Sequence, residues 1–168
     1  MGYSDSLDLV GKNQRQRKVR RMWQDTREPD PVTLNLLRGM GYTVDRLGMP
    51  MGDYGWEIRP DSFLSGKYLS LTVERKTLAD LRDVPRLRKQ LAKGQAESRT
   101  CFLVLIEHTF DTDRKRKWPE DSILNAELSM QLGGIMVTRC AGNDVAGRLD
   151  SLYKWSQKRT HQLAGGGE

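Results

Sequence analysis

The sequence of 168 residues is poor in cysteine and histidine, with two of each, and it contains no long apolar run. Cys101 and Cys140 form no CxxC pair and have no disulfide-like spacing, which argues against a disulfide scaffold or a cysteine zinc site. His108 and His161 stand at no metal-ligand spacing. No run reaches the roughly 18 apolar residues of a transmembrane helix. The N-terminal residues also lack the apolar segment of a signal peptide, so we expect an intracellular protein of unknown compartment.

Positive charge is present in excess, and it is clustered. The chain has 28 Lys and Arg against 22 Asp and Glu, a net charge of +6. One basic group lies within residues 12–21, and a second is the run RKRK at 114–117. Clustered positive charge favours a polyanionic partner, most simply nucleic acid. Charge alone agrees equally well with solvated segments that bind nothing specific.

The apolar pattern predicts one domain at residues 20–160, between a basic flexible arm at 1–19 and a disordered tail at 161–168. The predicted order is strand, helix, three strands, helix, strand, helix, strand, helix, with a first helix from Pro31 and a short helix at 77–83. The apolar run CFLVLI at 101–106 predicts a central strand buried on both faces. We therefore predict an α/β fold with a mixed sheet, mostly antiparallel in its N-terminal part, flanked by helices on both faces.

Charged residues occur at the ends of two predicted strands, with Asp53 at the start of one and Glu74-Arg75-Lys76 at the end of the next. Because alternate side chains of a strand share a face, Glu74 and Lys76 should project together and Arg75 the other way. If the strands pair, Asp53 lies beside Glu74. Two carboxylates suit a hard divalent cation, and a lysine can stabilise charge on a phosphate. The pattern indicates metal-assisted phosphodiester hydrolysis; the alternatives are coincidence and a degenerate nuclease.

Several short motifs, in this order, resemble the GD…ERKxxxD signature of XPF-type (ERCC4 domain) structure-specific endonucleases, which belong to the PD-(D/E)xK, restriction-endonuclease-like superfamily. The motifs are Gly52-Asp53, Glu74-Arg75-Lys76 and Asp80. The segment DTRE at 25–28 resembles the DxRE segment that opens this domain. With CFLVLIE, GGIMVTR and the last predicted helix, the resemblance covers about residues 20–158.

The resemblance implies a restriction-endonuclease-like fold, a Mg²⁺ or Mn²⁺ cofactor and a set of site residues. The implied metal ligands are Asp53, Glu74 and, directly or through water, Asp25, and the implied catalytic lysine is Lys76. The other implied site residues are Arg27, Glu28, Arg75 and Asp80. By strand parity, Arg75 is expected to orient Asp80 or a neighbouring acid. Asp80 is equally well interpreted as a helix residue paired with a nearby cation, and Glu107 either borders the site or is a surface residue.

The resemblance also implies a DNA endonuclease acting on branched or flapped duplex DNA in repair or recombination, and pairing into a homodimer. The expected dimer interface is the last helix, with Leu149, Leu152, Tyr153 and Trp155. Phosphate contacts are expected on a second helix, where the alternative is a solvated face; the residues are Arg86, Arg88, Lys89 and Lys93. The other candidate functions are a non-catalytic DNA-binding or scaffold subunit and a Holliday-junction resolvase of the same superfamily.

The sequence departs from the family pattern in two respects. The interval between Asp53 and Glu74 is longer than usual, as if a hairpin were extended by residues 59–67. The helix-hairpin-helix module that commonly accompanies the domain does not fit within these 168 residues, so the resemblance does not imply substrate selection by such a module.

Overall fold

The computed structural model describes residues 19–108 and 120–161. Nearly all of the predicted arm and tail, and the whole RKRK run, lie outside these ranges. None of the helices in the described ranges is both long and apolar enough to cross a bilayer.

Six strands form one mixed sheet in the order β2-β1-β3-β4-β5-β6. They are β1 (Arg20–Asp25), β2 (Tyr42–Leu47), β3 (Tyr54–Glu57), β4 (Ser70–Thr77), β5 (Thr100–His108) and β6 (Met136–Ala141). β3 is antiparallel to both β1 and β4, whereas β1–β2, β4–β5 and β5–β6 are parallel pairs. The two antiparallel pairs therefore lie in the N-terminal part of the chain, as the sequence predicted.

The helices are α1 (Pro31–Gly39), α2 (Val84–Ala96), α3 (Glu120–Leu132) and α4 (Val145–Ser156). Two of them begin in the same way, because Asp30 and Asp83 each accept a hydrogen bond from a backbone N–H of the first turn, and a proline follows. The predicted helix at 77–83 is wrong. β4 continues to Thr77, whose N–H and Oγ1 both donate to Asp80, and only one 3₁₀ turn at Asp80–Arg82 follows.

The core lies in two layers, one on each face of the sheet. Leu71 and Leu103 project toward α1 and α4, where they meet residues such as Leu37 and Leu149. The alternate residues of β5, beginning at Phe102, project toward α2 and α3. Helices cover both faces, so the predicted α/β architecture is confirmed.

The apolar residues of α4 are used within the protein's own core. Leu149 is fully buried, and Leu152 packs against the same cluster. The ring of Tyr153 lies 5.1 Å from that of Tyr42, and the ring of Trp155 lies 5.4 Å from that of Phe63. Leu149 is therefore wrong as part of the predicted dimer interface on α4, whereas an interface formed by the partly exposed Leu152, Tyr153 and Trp155 stays a prediction. The homodimer itself stays a prediction.

Ile123, Leu124, Leu128 and Leu132 recur at helical spacing in the sequence, but helix α3 turns only part of this apolar stripe toward the core. Ile123 is buried, but Leu124, Leu128 and Leu132 are 43, 52 and 92% exposed. Met130 is buried in their place, between the sheet and α2. The apolar spacing identified the helix correctly but did not show which of its faces meets the sheet.

Candidate active site

The structure brings Asp53 and Glu74 together at the junction of β3 and β4. The backbone N–H of Asp53 donates to the carbonyl of Val73 over 2.8 Å, next to the pair Tyr54–Val73 of the antiparallel register. Extending that register places Asp53 opposite Glu74, and directly opposed residues project to the same face of a sheet. Both side chains line one open cavity of about 460 Å³.

A glycine is required immediately before Asp53. Gly52 has a φ of +74°, a left-handed conformation that side chains disfavour. A Cβ at this position would lie 2.1 Å from Cγ2 of Thr72 and 3.2 Å from the carbonyl oxygen of Val73. Gly52 therefore lets the chain pass close to β4, and this close approach positions the carboxylate of Asp53 beside that strand.

We predict that Gly52→Ala lowers the free energy of unfolding by about 1–3 kcal/mol, because it adds both backbone strain and overlap with β4. Chemical denaturation of the two proteins measures the loss. The matched control is Gly66→Ala, since a Cβ at Gly66 meets nothing within 4 Å. Equal stability of the two variants would contradict this account of Gly52.

The carboxyl group of Asp53 is half-buried and lies close to the charge of Glu74. Burial, followed by the charge of Glu74, raises the pKa of Asp53 to about 7. The backbone N–H of Arg75 donates to its Oδ2 over 2.7 Å and partly opposes that rise. The two acids thus repel each other across the strand pair, and a cation between them would relieve the repulsion.

Lys76 projects beside Glu74 because the two residues alternate on β4. The side chains of Lys76 and Glu74 are 6 and 8% exposed, and Nζ of Lys76 donates to Oε1 of Glu74 over 2.6 Å. The cavity therefore holds the Lys76 ammonium group beside the carboxylates of Asp53 and Glu74, at the junction of two adjacent strands of the sheet.

The donor set fits a hard divalent cation held by two carboxylates. No hydrogen bond among the described residues uses Oδ1 of Asp53 or Oε2 of Glu74, and oxygen atoms are the ligands that Mg²⁺ and Mn²⁺ prefer. Within the same ranges, no three His, Cys, Asp or Glu side chains are grouped to hold a metal ion.

Asp25 lines the cavity, but its carboxylate is already engaged. The backbone N–H of Arg27 donates to Oδ1, and the guanidinium of Arg27 binds both oxygens. The side-chain hydrogen bond from Arg27 holds the pKa of Asp25 below its ordinary value. Asp25 would have to release Arg27 before it could bind a cation directly, so this arrangement does not support direct ligation, and a contact with the cation through water stays a prediction.

Arg75 lies on the opposite face of the sheet from Glu74, as strand parity predicted. Its guanidinium donates to Glu107 over 2.7 Å, to Asp30 over 2.7 Å and to Glu28 over 3.1 Å. Burial raises the pKa of Glu28, and the neighbouring acids add to the rise although Arg75 opposes it. Arg75 therefore ties the loop after β1 to the end of β5.

The partners of Arg75 differ in part from those expected. Glu28 and Glu107 join it, whereas Asp80 binds Thr77 at the rim of the cavity and makes no contact with Arg75. Asp30 was not predicted as part of any site. Its only signal in the sequence was its position before Pro31, which marks a helix start and says nothing of a tertiary partner.

One wall of the cavity is basic and belongs to α2. Arg86, Lys89 and Lys93 line it together with Gln90. Arg88, the fourth predicted phosphate contact, instead lines a separate apolar cavity between α2 and α3. Three of the four predicted cations therefore face the carboxylates, and the fourth does not.

Comparison with known proteins gives matches by structure and not by sequence. No protein-family model matches the chain, and no curated protein matches it. A structure of XPF from Aeropyrum pernix is similar over 81% of this chain and 64% of its own, with 27% identity and a TM-score of 0.60. A structure of the same XPF in complex with DNA is similar over 82% of this chain and 64% of its own, with 26% identity and a TM-score of 0.61.

The chain thus spans just under two thirds of the length of the XPF chains that it matches. The match covers most of the present chain, including the order of strands and helices that carries the motifs. The resemblance predicted from the sequence is therefore confirmed, and the chain has the α/β fold of an XPF-type domain.

Proposed function

We propose that this protein is a DNA endonuclease that hydrolyses phosphodiester bonds with the help of Mg²⁺ or Mn²⁺. The observation that carries the proposal is the placement of Asp53, Glu74 and Lys76 in one open cavity, with a basic helix as its wall. Two carboxylates in a basic cavity suit a phosphate diester, because a cation can bridge the acids and the substrate.

Each of the three residues has a distinct task in the proposed reaction. Asp53 and Glu74 would hold the cation through oxygen ligands, with Asp53 oriented by the backbone N–H of Arg75. When bound, such a cation polarises the phosphate and lowers the pKa of a water molecule. The Lys76 ammonium stabilises negative charge that develops on the phosphate as the water oxygen attacks.

Two further residues support the site at its edge. Arg27 is exposed at the cavity, where it holds Asp25 and adds positive charge near Asp53 and Glu74. Asp80 fixes the turn that follows β4 through Thr77. These contacts support positioning roles for Asp25, Arg27 and Asp80, rather than roles in direct contact with the reacting phosphate.

The proposed substrate is branched or flapped duplex DNA. The support for DNA is the fold shared with the XPF chain whose structure is described in complex with DNA, together with the basic cavity wall. The support for a branched substrate is the motif resemblance to structure-specific endonucleases.

Cleavage of labelled flap, fork, four-way and linear DNA in Mg²⁺ or Mn²⁺ tests the proposal. We predict metal-dependent cutting of at least one branched substrate, and a loss of about 10²–10³-fold in Lys76→Met, because this change removes one preorganised charge from the site. Arg88→Gln is the control, since Arg88 lies outside the cavity.

The product pattern distinguishes the alternatives. Binding of branched DNA without cutting in either metal would favour a scaffold subunit and overturn the proposed activity. Symmetric cuts confined to four-way DNA would favour a resolvase. Full cleavage by Lys76→Met would show that the active site lies elsewhere.

A further inference from the structure

The side chains of α2 point in three directions: toward the core, toward the apolar cavity next to α3, and toward the cavity that contains the carboxylates. Leu87 and Leu91 pack with the core layer that includes Phe102 of β5, and Gly94 lies directly on that ring. A Cβ at Gly94 would be only 2.5 Å from Phe102, so the helix lies unusually close to the sheet. Arg88 lines the cavity next to α3. The remaining face of α2 is open to the cavity that contains the carboxylates.

This open face carries a row of cations. Arg86, Lys89 and Lys93 are exposed, line the carboxylate cavity and recur every three to four residues, which places them along one side of a helix. Within residues 19–108 and 120–161, none of these three side chains forms an ion pair with an acid. Three exposed cations beside one cavity are therefore available to an anionic ligand.

The row starts at the reacting groups and leads away from them. Arg86 lines the same cavity as Lys76 and Asp80. Against the effect of burial, hydrogen bonds from Thr77, followed by the charges of Lys76 and Arg86, hold the pKa of Asp80 below its ordinary value. The parallel crossover from β4 through α2 to β5 requires the helix to run back along the sheet, away from the strand ends that carry the site. Lys93 lies seven positions after Arg86 in the helix, a rise of roughly 10 Å.

We propose that Arg86, Lys89 and Lys93 form a track for the sugar-phosphate backbone of one DNA strand, on one side of the cleaved bond. The rise of roughly 10 Å matches about three steps of a strand that advances roughly 3.4 Å per nucleotide. Long cationic side chains on an exposed face contact phosphates without reading bases, so the track is independent of DNA sequence. This inference rests on the proposed function, because it takes DNA as the ligand of the cavity.

Salt dependence of binding tests the track without requiring cleavage. Binding of a labelled flap duplex is measured by fluorescence anisotropy in EDTA at several salt concentrations. Each of Arg86→Gln, Lys89→Gln and Lys93→Gln should reduce the slope of log affinity against log salt by about 0.7–0.9, and the triple variant by about 2–3. Arg88→Gln removes the same charge from the same helix and should leave the slope unchanged. Equal slopes for Lys93→Gln and Arg88→Gln would overturn the track.

Neutral phosphate analogues then test how many phosphates the track contacts and on which DNA strand they lie. A single methylphosphonate linkage replaces one phosphate at a time along each DNA strand, and the affinity is measured for each position. In the wild-type protein, affinity should fall at about three consecutive positions, and in the triple variant these losses should disappear. Losses that are unchanged in the triple variant, or spread equally along both strands, would overturn the proposal.

The two proposals fail separately. If the wild-type protein cuts DNA while the triple variant keeps the wild-type salt slope, the endonuclease proposal stands and the track is wrong. If no DNA is cut but the slopes change as described, the track stands and the proposed activity is wrong.

Discussion

Asp53→Asn is expected to reduce DNA cleavage by about 10³-fold or more and, at the same time, to stabilise the metal-free protein at pH 8. Cleavage is lost because an amide is a poor ligand for a hard cation, so that only Glu74 remains of the two facing carboxylates that would hold the ion. Stability is gained because the amide removes a buried charge that Glu74 repels. The amide oxygen can still accept the hydrogen bond from the N–H of Arg75.

The gain in stability should depend on pH. The pKa of Asp53 in the folded protein is about 7, above its ordinary value of 3.8. The folded protein therefore binds this proton more tightly than the unfolded chain does, so the contribution of Asp53 to stability is full below pH 4 and is lost as the pH rises to about 7. This pH rise lowers the free energy of unfolding of the wild-type protein by about 4 kcal/mol. Asp53→Asn has no carboxyl group at this position, so its stability does not fall for this reason.

Chemical denaturation in EDTA at pH 4.5 and pH 8, beside a cleavage assay, measures both effects. The stability of Asp53→Asn relative to the wild-type protein should increase between the two pH values. Glu57→Gln is the matched control, because Glu57 is an exposed acid at the other end of β3. A variant that is destabilised equally at both pH values would contradict the coupling of Asp53 to Glu74.

Arg75→Met is expected to lower the free energy of unfolding by about 3–5 kcal/mol at pH 8. The guanidinium is the shared cation of Glu28, Asp30 and Glu107, all of which are largely buried. Methionine fills part of the volume of the arginine but leaves three acids without a counter-charge. The loop that carries Asp25 and Arg27 would lose its link to the end of β5.

The pH dependence of this loss identifies its cause. Without the cation, the charged forms of the buried acids are less favourable, so the deficit should shrink at pH 5, where protonation is easier. Urea denaturation at the two pH values measures it. Arg75→Lys should recover only part of the loss, since one ammonium cannot reproduce the planar fork of a guanidinium.

The control for Arg75 is Arg21→Met, which breaks an exposed ion pair with Asp45. Surface pairs of this kind contribute about 1 kcal/mol or less. If Arg75→Met costs no more than Arg21→Met, the buried network does not stabilise the loop, and this interpretation of Arg75 is wrong.

The sequence predicted the elements well where local patterns determine them. The apolar run of β5 and the proline-led starts of α1 and α2 depend on neighbouring residues, so they could be identified without a structure. Strand alternation likewise predicted that Arg75 would point away from Glu74. These features depend on residue type and spacing along the chain, and a single sequence is enough to show both.

What the sequence did not predict depends on contacts between distant segments. The guanidinium of Arg75 meets Asp30 across 45 positions of sequence, and nothing in either local segment indicates the pairing. The engagement of Asp25 by Arg27 is local, but it concerns side-chain conformations that no periodicity encodes. The apolar residues of α4 were interpreted as a dimer surface because the sequence does not show their contacts within the same chain. Two of the residues that they contact, Tyr42 and Phe63, are far away in sequence.

The most direct measurement is a titration of the protein with Mn²⁺, followed by the electron paramagnetic resonance signal of the free ion. We predict that the wild-type protein and Glu57→Gln both bind Mn²⁺ and so lower the signal of the free ion. Asp53→Asn should lack this binding site. Mn²⁺ binding by Asp53→Asn with the affinity of the wild-type protein would contradict the claim that the facing carboxylates of β3 and β4 jointly hold the ion.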